Sequence, residues 1–153
     1  MKAKFINPFI KATENLFSIF LKINLSAGKP YLMEGRGDLF EISAIIGLAG
    51  DTQGAVVLSF HNDTAIKMIS LFVGQEYKYL SNEVLDGVGE FVNIIVGNAK
   101  KDLEDYKITI SLPGVITGTD YRIKWPDGVP IITVPFSSDI GNFTLNVSLL
   151  DAA

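Results

Sequence analysis

The apolar patterns along these 153 residues predict a mixed α+β fold, an antiparallel-rich sheet packed against two long helices and one short helix. Three observations carry this. Residues 81–106 place their apolar side chains at helical spacing on one side only. Two apolar runs, 42–49 and 55–60, flank Gly50-Asp-Thr-Gln-Gly54, the pattern of a hairpin with a short loop. Residues 143–149 alternate, Phe143, Leu145, Val147 and Leu149 against Thr144, Asn146 and Ser148, so one face of that strand is expected to be buried and the other wet. The length fits one domain over residues 1–153.

In chain order, Asn7-Pro8 reads as an N-cap followed by proline at the first helical position, opening a helix to about Ile23. Phe9, Leu16, Phe20 and Ile23 give it an apolar face that Phe17 and Ile19 widen, and a well-buried helix is expected. Ser26 to Pro30 ends it, a short strand follows at 31–34, and Gly35 and Gly37 loosen the chain. After the hairpin, Asn62 or Asp63 caps a helix carrying Ala65, Met68, Ile69 and Phe72, stopped by Gly74. A tyrosine-rich linker leads into the long helix. Beyond it come a strand at 107–112, a turn at Pro113-Gly114, a strand from Val115, a turn at Asp127-Gly128, and a strand at 129–136. Pro130 and Pro135 mark that last one as an edge, or lie at its ends.

Composition narrows the function. A chain that is 48% hydrophobic and 20% charged fits a soluble globular protein. Without cysteine there is no thiolate nucleophile, disulfide or zinc-thiolate site. A net charge of −4 with no basic run argues against nucleic acid or an anionic membrane as the main partner, leaving a protein or a small molecule. No run approaches the roughly 20 apolar residues of a membrane span, and no signal peptide is evident, so a cytoplasmic location is expected.

Conventional catalytic groupings are absent. His61, the sole histidine, stands at a strand end, where a surface or capping role is expected. Gly35-Arg-Gly37 lacks the lysine and the preceding strand of a phosphate loop. Asp102, Glu104 and Asp105 read as a solvated helix end, and no metal site built by this chain alone is expected.

The long helix holds the best candidate. Ser81 or Asn82 caps it, with Glu83 and Asp86 in the first turn, where negative charge meets the positive end of the helix dipole. Val84, Val88, Phe91, Val92, Ile95, Ala99 and Leu103 form the core stripe; Asp86, Glu90, Asn93, Gly97, Lys100 and Glu104 face away. Gly87, Gly89 and Gly97 interrupt it, although each costs about 1 kcal/mol against alanine in a helix interior. Gly97 lies one turn beyond Glu90 and Asn93, so a carboxylate and a carboxamide stand beside bare backbone that another molecule can approach. On an anonymous helix such a pair is most often plain surface. Asn98, at the stripe's border, is expected to make a structural hydrogen bond, and Asp86 to be a helix-end charge first and a partner contact second.

The run Leu85-Asp-Gly-Val-Gly-Glu-Phe-Val-Asn-Ile-Ile-Val-Gly-Asn-Ala-Lys100 resembles the Glu-x-x-Asn, then Gly-Asn-Ala-Lys, helix of the CheX family, bacterial chemotaxis phosphatases related to CheC. Ile-Asn-Pro-Phe at 6–9 and Leu-Pro-Gly-Val-Ile-x-Gly at 112–118 extend the likeness over most of the chain. The resemblance implies hydrolysis of the aspartyl phosphate of a response regulator such as phospho-CheY. Asn93 would orient the attacking water, Glu90 would pair with the regulator's active-site lysine, and Gly97 would permit close docking. It also implies Mg2+ supplied by the regulator, no cofactor of the chain's own, and a homodimer joined through sheet contacts, for which the apolar strand at 55–60 would offer an edge.

Two similar halves are expected, with Glu14 aligned to Glu90 and Phe17 to Asn93, which leaves one active site. Two other readings remain: a response-regulator or flagellar-switch binding module that hydrolyses nothing, and a small-molecule domain with a deep apolar pocket away from the helix.

Overall fold

The computed structural model describes residues 3–35 and 39–150. Residues 36–38, part of the stretch expected to be loose and to hold no phosphate loop, lie outside the described residues.

Helix α1 runs Ala3–Leu16 and continues into a wider π turn, Phe17–Leu21. Pro8 lies inside α1 and Asn7 is no N-cap. Burial of Phe5 and Ile6 draws the preceding turn into the helix, at the loss of one backbone bond. The π turn also redirects the expected apolar face. Phe17 and Leu21 turn inward, whereas Ile19 and Phe20 are 61% and 55% exposed, because the extra residue per turn shifts the stripe.

Two short strands follow, β1 Ser26–Ala27 and β2 Tyr31–Leu32, the first of them unforeseen. The expected hairpin is β3 Ile42–Gly50 and β4 Gly54–Phe60. Helix α2, Asn62–Val73, is capped by His61, one residue earlier than expected, and ends at Gly74, whose φ of 78° closes the C-cap. His61 Nδ1 stands 3.1 Å from Glu41 Oε2. Helix α3 is Asn82–Lys101, and β5 Ile108–Ile110, β6 Gly114–Thr117, β7 Ile132–Ser137 and β8 Phe143–Leu149 complete the order.

The strands form one antiparallel sheet, ordered β1-β7-β8-β4-β3-β5, with β2 also on β7 and β6 also on β3. β4 is therefore interior, between β3 and β8, and offers no edge to a second copy. β7 is second from the margin, paired with β8 on its inner side and covered on its outer side only by the two short strands, and Pro135 lies in the gap between their registers.

No reversing turn forms at Pro113-Gly114. From Leu48 to Ile45 β3 advances three residues while the margin advances four, from Ile110 to Gly114, so β5 and β6 are one edge strand broken by a one-residue bulge.

Rows of side chains facing the helices are apolar: Ile42, Phe60, Phe143 and Phe136 in one, Ala44, Leu58, Leu145 and Val134 in the next, all buried. Phe17 of the π turn stacks on Phe143 at 5.0 Å and meets Phe91 of α3 edge-on at 5.3 Å, tying both helices to the sheet. The opposite face departs from expectation. Thr144, Asn146 and Ser148 of β8 are buried, not wet. β8 is a central strand, and the chain returning from β6 lies over this side, where the Tyr121 hydroxyl meets Ser43 Oγ at 2.6 Å and donates to the Phe40 carbonyl. Three of the buried polar groups satisfy one another, Thr133 Oγ1 donating to Asn146 Oδ1 at 2.7 Å and Asn146 Nδ2 to the Val57 carbonyl and Thr144 Oγ1, whereas the buried Ser148 Oγ has no hydrogen-bond partner among the described residues. No helix among the described residues is long and apolar enough to cross a membrane.

Candidate functional site on helix α3

Ser81 starts α3: its backbone is extended and its hydroxyl accepts from the Val84 N–H at 3.2 Å. Glu83 occupies the first turn and Lys100 and Lys101 the last, each charge placed favourably against the helix dipole. The Tyr77 hydroxyl donates to Glu83 Oε2 at 3.1 Å, pinning the linker to the helix start. Burial first, and then the Glu83 carboxylate, push the Tyr77 phenol above its ordinary value. The whole expected stripe, Val84, Val88, Phe91, Val92, Ile95, Ala99 and Leu103, is buried.

The polar side divides by what flanks it. Towards α2, a Cβ built on Gly87 would lie 2.7 Å from Ile69 Cγ2; towards the edge strand, one on Gly89 would meet Val115 Cγ2 at 3.4 Å and Pro113 at 3.6 Å. Packing within this chain thus accounts for Gly87, whereas a methyl group at Gly89 would sit in ordinary van der Waals contact. Between those flanks runs an exposed ridge bearing Asp86, Glu90 and Asn93. None of the three side chains has a hydrogen bond or ion pair among the described residues. Glu90 and Asn93, three residues apart, are neighbours about 5–6 Å apart at Cβ. One turn on, a Cβ at Gly97 would have nothing within 4 Å. Asn98 is exposed and lacks the expected structural hydrogen bond among the described residues, because its position turns to solvent between Gly97 and the buried Ala99.

Chemically, the ridge offers a hydrogen-bond acceptor with negative charge and a carboxamide that both donates and accepts. Among the described residues no three His, Asp or Glu side chains converge on a cation site. An open groove of about 860 Å³ runs between Gly97 and Lys100 on α3 and Thr109 and Ile110 on β5. A second, of about 480 Å³, lies between Leu39, Tyr121 and Trp125, away from the ridge. Sequence reasoning missed the bulge beside Gly89, since Pro113-Gly114 has the composition of a reversing turn; only the long β3 shows that the chain runs straight on.

Comparison with known proteins bears on this ridge. The sequence profile described as chemotaxis phosphatase CheX matches residues 42–137, which include all of α3. The CheY-P phosphatase CheX of Thermotoga maritima is 29% identical over 127 residues, 81% of this chain and 82% of that protein. Among solved structures, a CheC-like superfamily protein from Shewanella sp. PV-4 superposes with a TM-score of 0.90 at 28% identity, covering 99% of this chain and 100% of its own. A chain of the CheX–CheY–BeF3–Mg2+ complex from Borrelia burgdorferi superposes with a TM-score of 0.83 at 27% identity, over 96% of this chain and 98% of that one.

Proposed function

This chain belongs to the CheX family, and on that premise we propose that it hydrolyses the aspartyl phosphate of a CheY-like response regulator in the cytoplasm, with Asn93 and Glu90 as its working side chains. The observation that carries the reading is Gly97. Of the three glycines in α3 it alone has open space where a Cβ would stand, and it lies one turn from an exposed acid and carboxamide. A helix that gives up about 1 kcal/mol there gains room for a partner to come close.

The reaction asks little of the phosphatase. An acyl phosphate is an activated mixed anhydride, so hydrolysis needs chiefly a water held in line with the bond to be broken. The Asn93 carbonyl oxygen accepts a hydrogen bond from that water, while its NH₂ donates to a phosphoryl oxygen. Water oxygen bonds to phosphorus, the bond from phosphorus to the aspartyl oxygen breaks, and inorganic phosphate and a free carboxylate result. Glu90 pairs with a lysine of the regulator's active site, setting the register of α3; it need not move a proton. Magnesium belongs to the regulator's side of the interface, in keeping with the CheX–CheY complex from Borrelia burgdorferi, which contains that ion. The homodimer is also part of the reading and rests on the family alone; sedimentation of the purified chain tests it.

Decay of a phosphorylated regulator, followed with and without the protein, is the measurement that decides. Asn93→Ala is expected to lower the maximal rate by about 10²-fold or more with binding nearly intact. Glu90→Ala is expected to weaken productive docking as well. Wild-type decay rates in both variants end the proposal.

A further inference from the structure

We propose that Leu112 is a second point of contact for the regulator, an apolar one beside the Glu90–Asn93 ridge, which sets how well the regulator docks and leaves the chemistry to α3. This rests on the preceding reading of the ridge. At 90% exposed, Leu112 is the barest large hydrophobic side chain among the described residues. A lone exposed leucine is ordinary; the way this one is held out is not.

Continuing the register of β5, in which Ile110 faces Leu48, a regular strand would set Leu112 opposite Ile46, in a row that faces the helices and is buried. The extra residue removes it from that row. Pro113 packs on α3 instead, against Gly89, and Leu112 is released to solvent. Bulges beside binding sites re-aim side chains in this way. The support is fixed: the Ser111 N–H donates to the Gly47 carbonyl at 2.9 Å, the Gly47 N–H donates to Ser111 Oγ at 2.8 Å, and Ser111 Oγ donates to the Leu112 carbonyl at 2.9 Å.

Position supplies the partner. Gly89 adjoins Glu90 and lies one helical turn before Asn93 on the same side, so the bulge over Gly89 stands at the flank of the ridge. The groove from Gly97 to Ile110 continues that flank. A protein lowered onto Asn93 meets Leu112 at its margin, and an apolar side chain at the rim of the regulator's phosphorylation site would cover it.

The test is steady-state dephosphorylation by the full chain bearing Leu112→Ala or Leu112→Met. The alanine variant is expected to raise KM for the phospho-regulator about tenfold with kcat unchanged, the methionine variant to keep wild-type KM, and both to melt as wild type does. An unchanged KM in Leu112→Ala, with the wild type active, overturns this inference and leaves the ridge standing. A loss that appears in kcat, or one accompanied by a changed sedimentation coefficient, also overturns it, the latter by assigning Leu112 to contact between copies. A wild-type protein that leaves phospho-regulators untouched overturns both proposals.

Discussion

Gly87 and Gly97 stand ten residues apart in one helix, and a methyl group added to either is expected to act in opposite directions. At Gly87 it would fall 2.7 Å from a branch of the fully buried Ile69, so Gly87→Ala should destabilise the fold by about 1–3 kcal/mol through overpacking. At Gly97 nothing lies within reach. Gly97→Ala should therefore stabilise the protein by up to about 1 kcal/mol, about 2–4 °C in melting temperature, while lowering the rate of regulator dephosphorylation. Thermal melts and phosphate decay on the same samples check both; a stabilised variant with undiminished rate would remove Gly97 from the interface. The ridge itself was legible in the sequence, because helical spacing alone separates Glu90 and Asn93 from the Val88–Phe91–Ile95 stripe. What spacing cannot distinguish is a glycine crowded by Ile69 from one facing open space, since Ile69 comes from another element.

At the scale of elements, long periodic segments are legible in the sequence, and their ends and local irregularities are not. The β3–β4 hairpin stands where its pattern places it, and α3 begins where its cap predicts but ends at Lys101, five residues short of Tyr106. The π turn at Phe17–Leu21 escaped because an apolar run of Phe, Ile, Phe and Leu satisfies several helical registers equally. Its consequence matters to the site: Phe17, set against Asn93 by the alignment of the two halves, is fully buried between Phe91 and Phe143 and presents nothing polar.

The alternation in β8 holds as a pattern, but the polar face it defines is buried. Period two shows that Thr144, Asn146 and Ser148 share a face; it does not show whether that face meets water. Asn146 bridges β7, β8 and β4 from within. Asn146→Ala leaves the Thr133 hydroxyl unsatisfied and is expected to cost about 1–3 kcal/mol in urea denaturation. A wet strand would lose less than about 0.5 kcal/mol.

For the molecule as a whole, one antiparallel sheet backs a single helical layer, with α3 between α1 and α2 on one flank and the bulged edge on the other. The apolar rows of the sheet and the aromatic cluster at Phe143 hold α3 from below, leaving Glu90 and Asn93 on its outward side. An outward ridge has no walls. It cannot strip solvent from a small acyl phosphate or surround it with charge, so the closed chamber in which the phosphoryl group reacts must be completed by whatever molecule carries that group. Acetyl phosphate, which has the same acyl–phosphoryl linkage and no protein around it, should accordingly be consumed no faster with this protein present than in buffer. Phosphate release measured over hours would check this, and in that sense the enzyme is only half built until its substrate arrives.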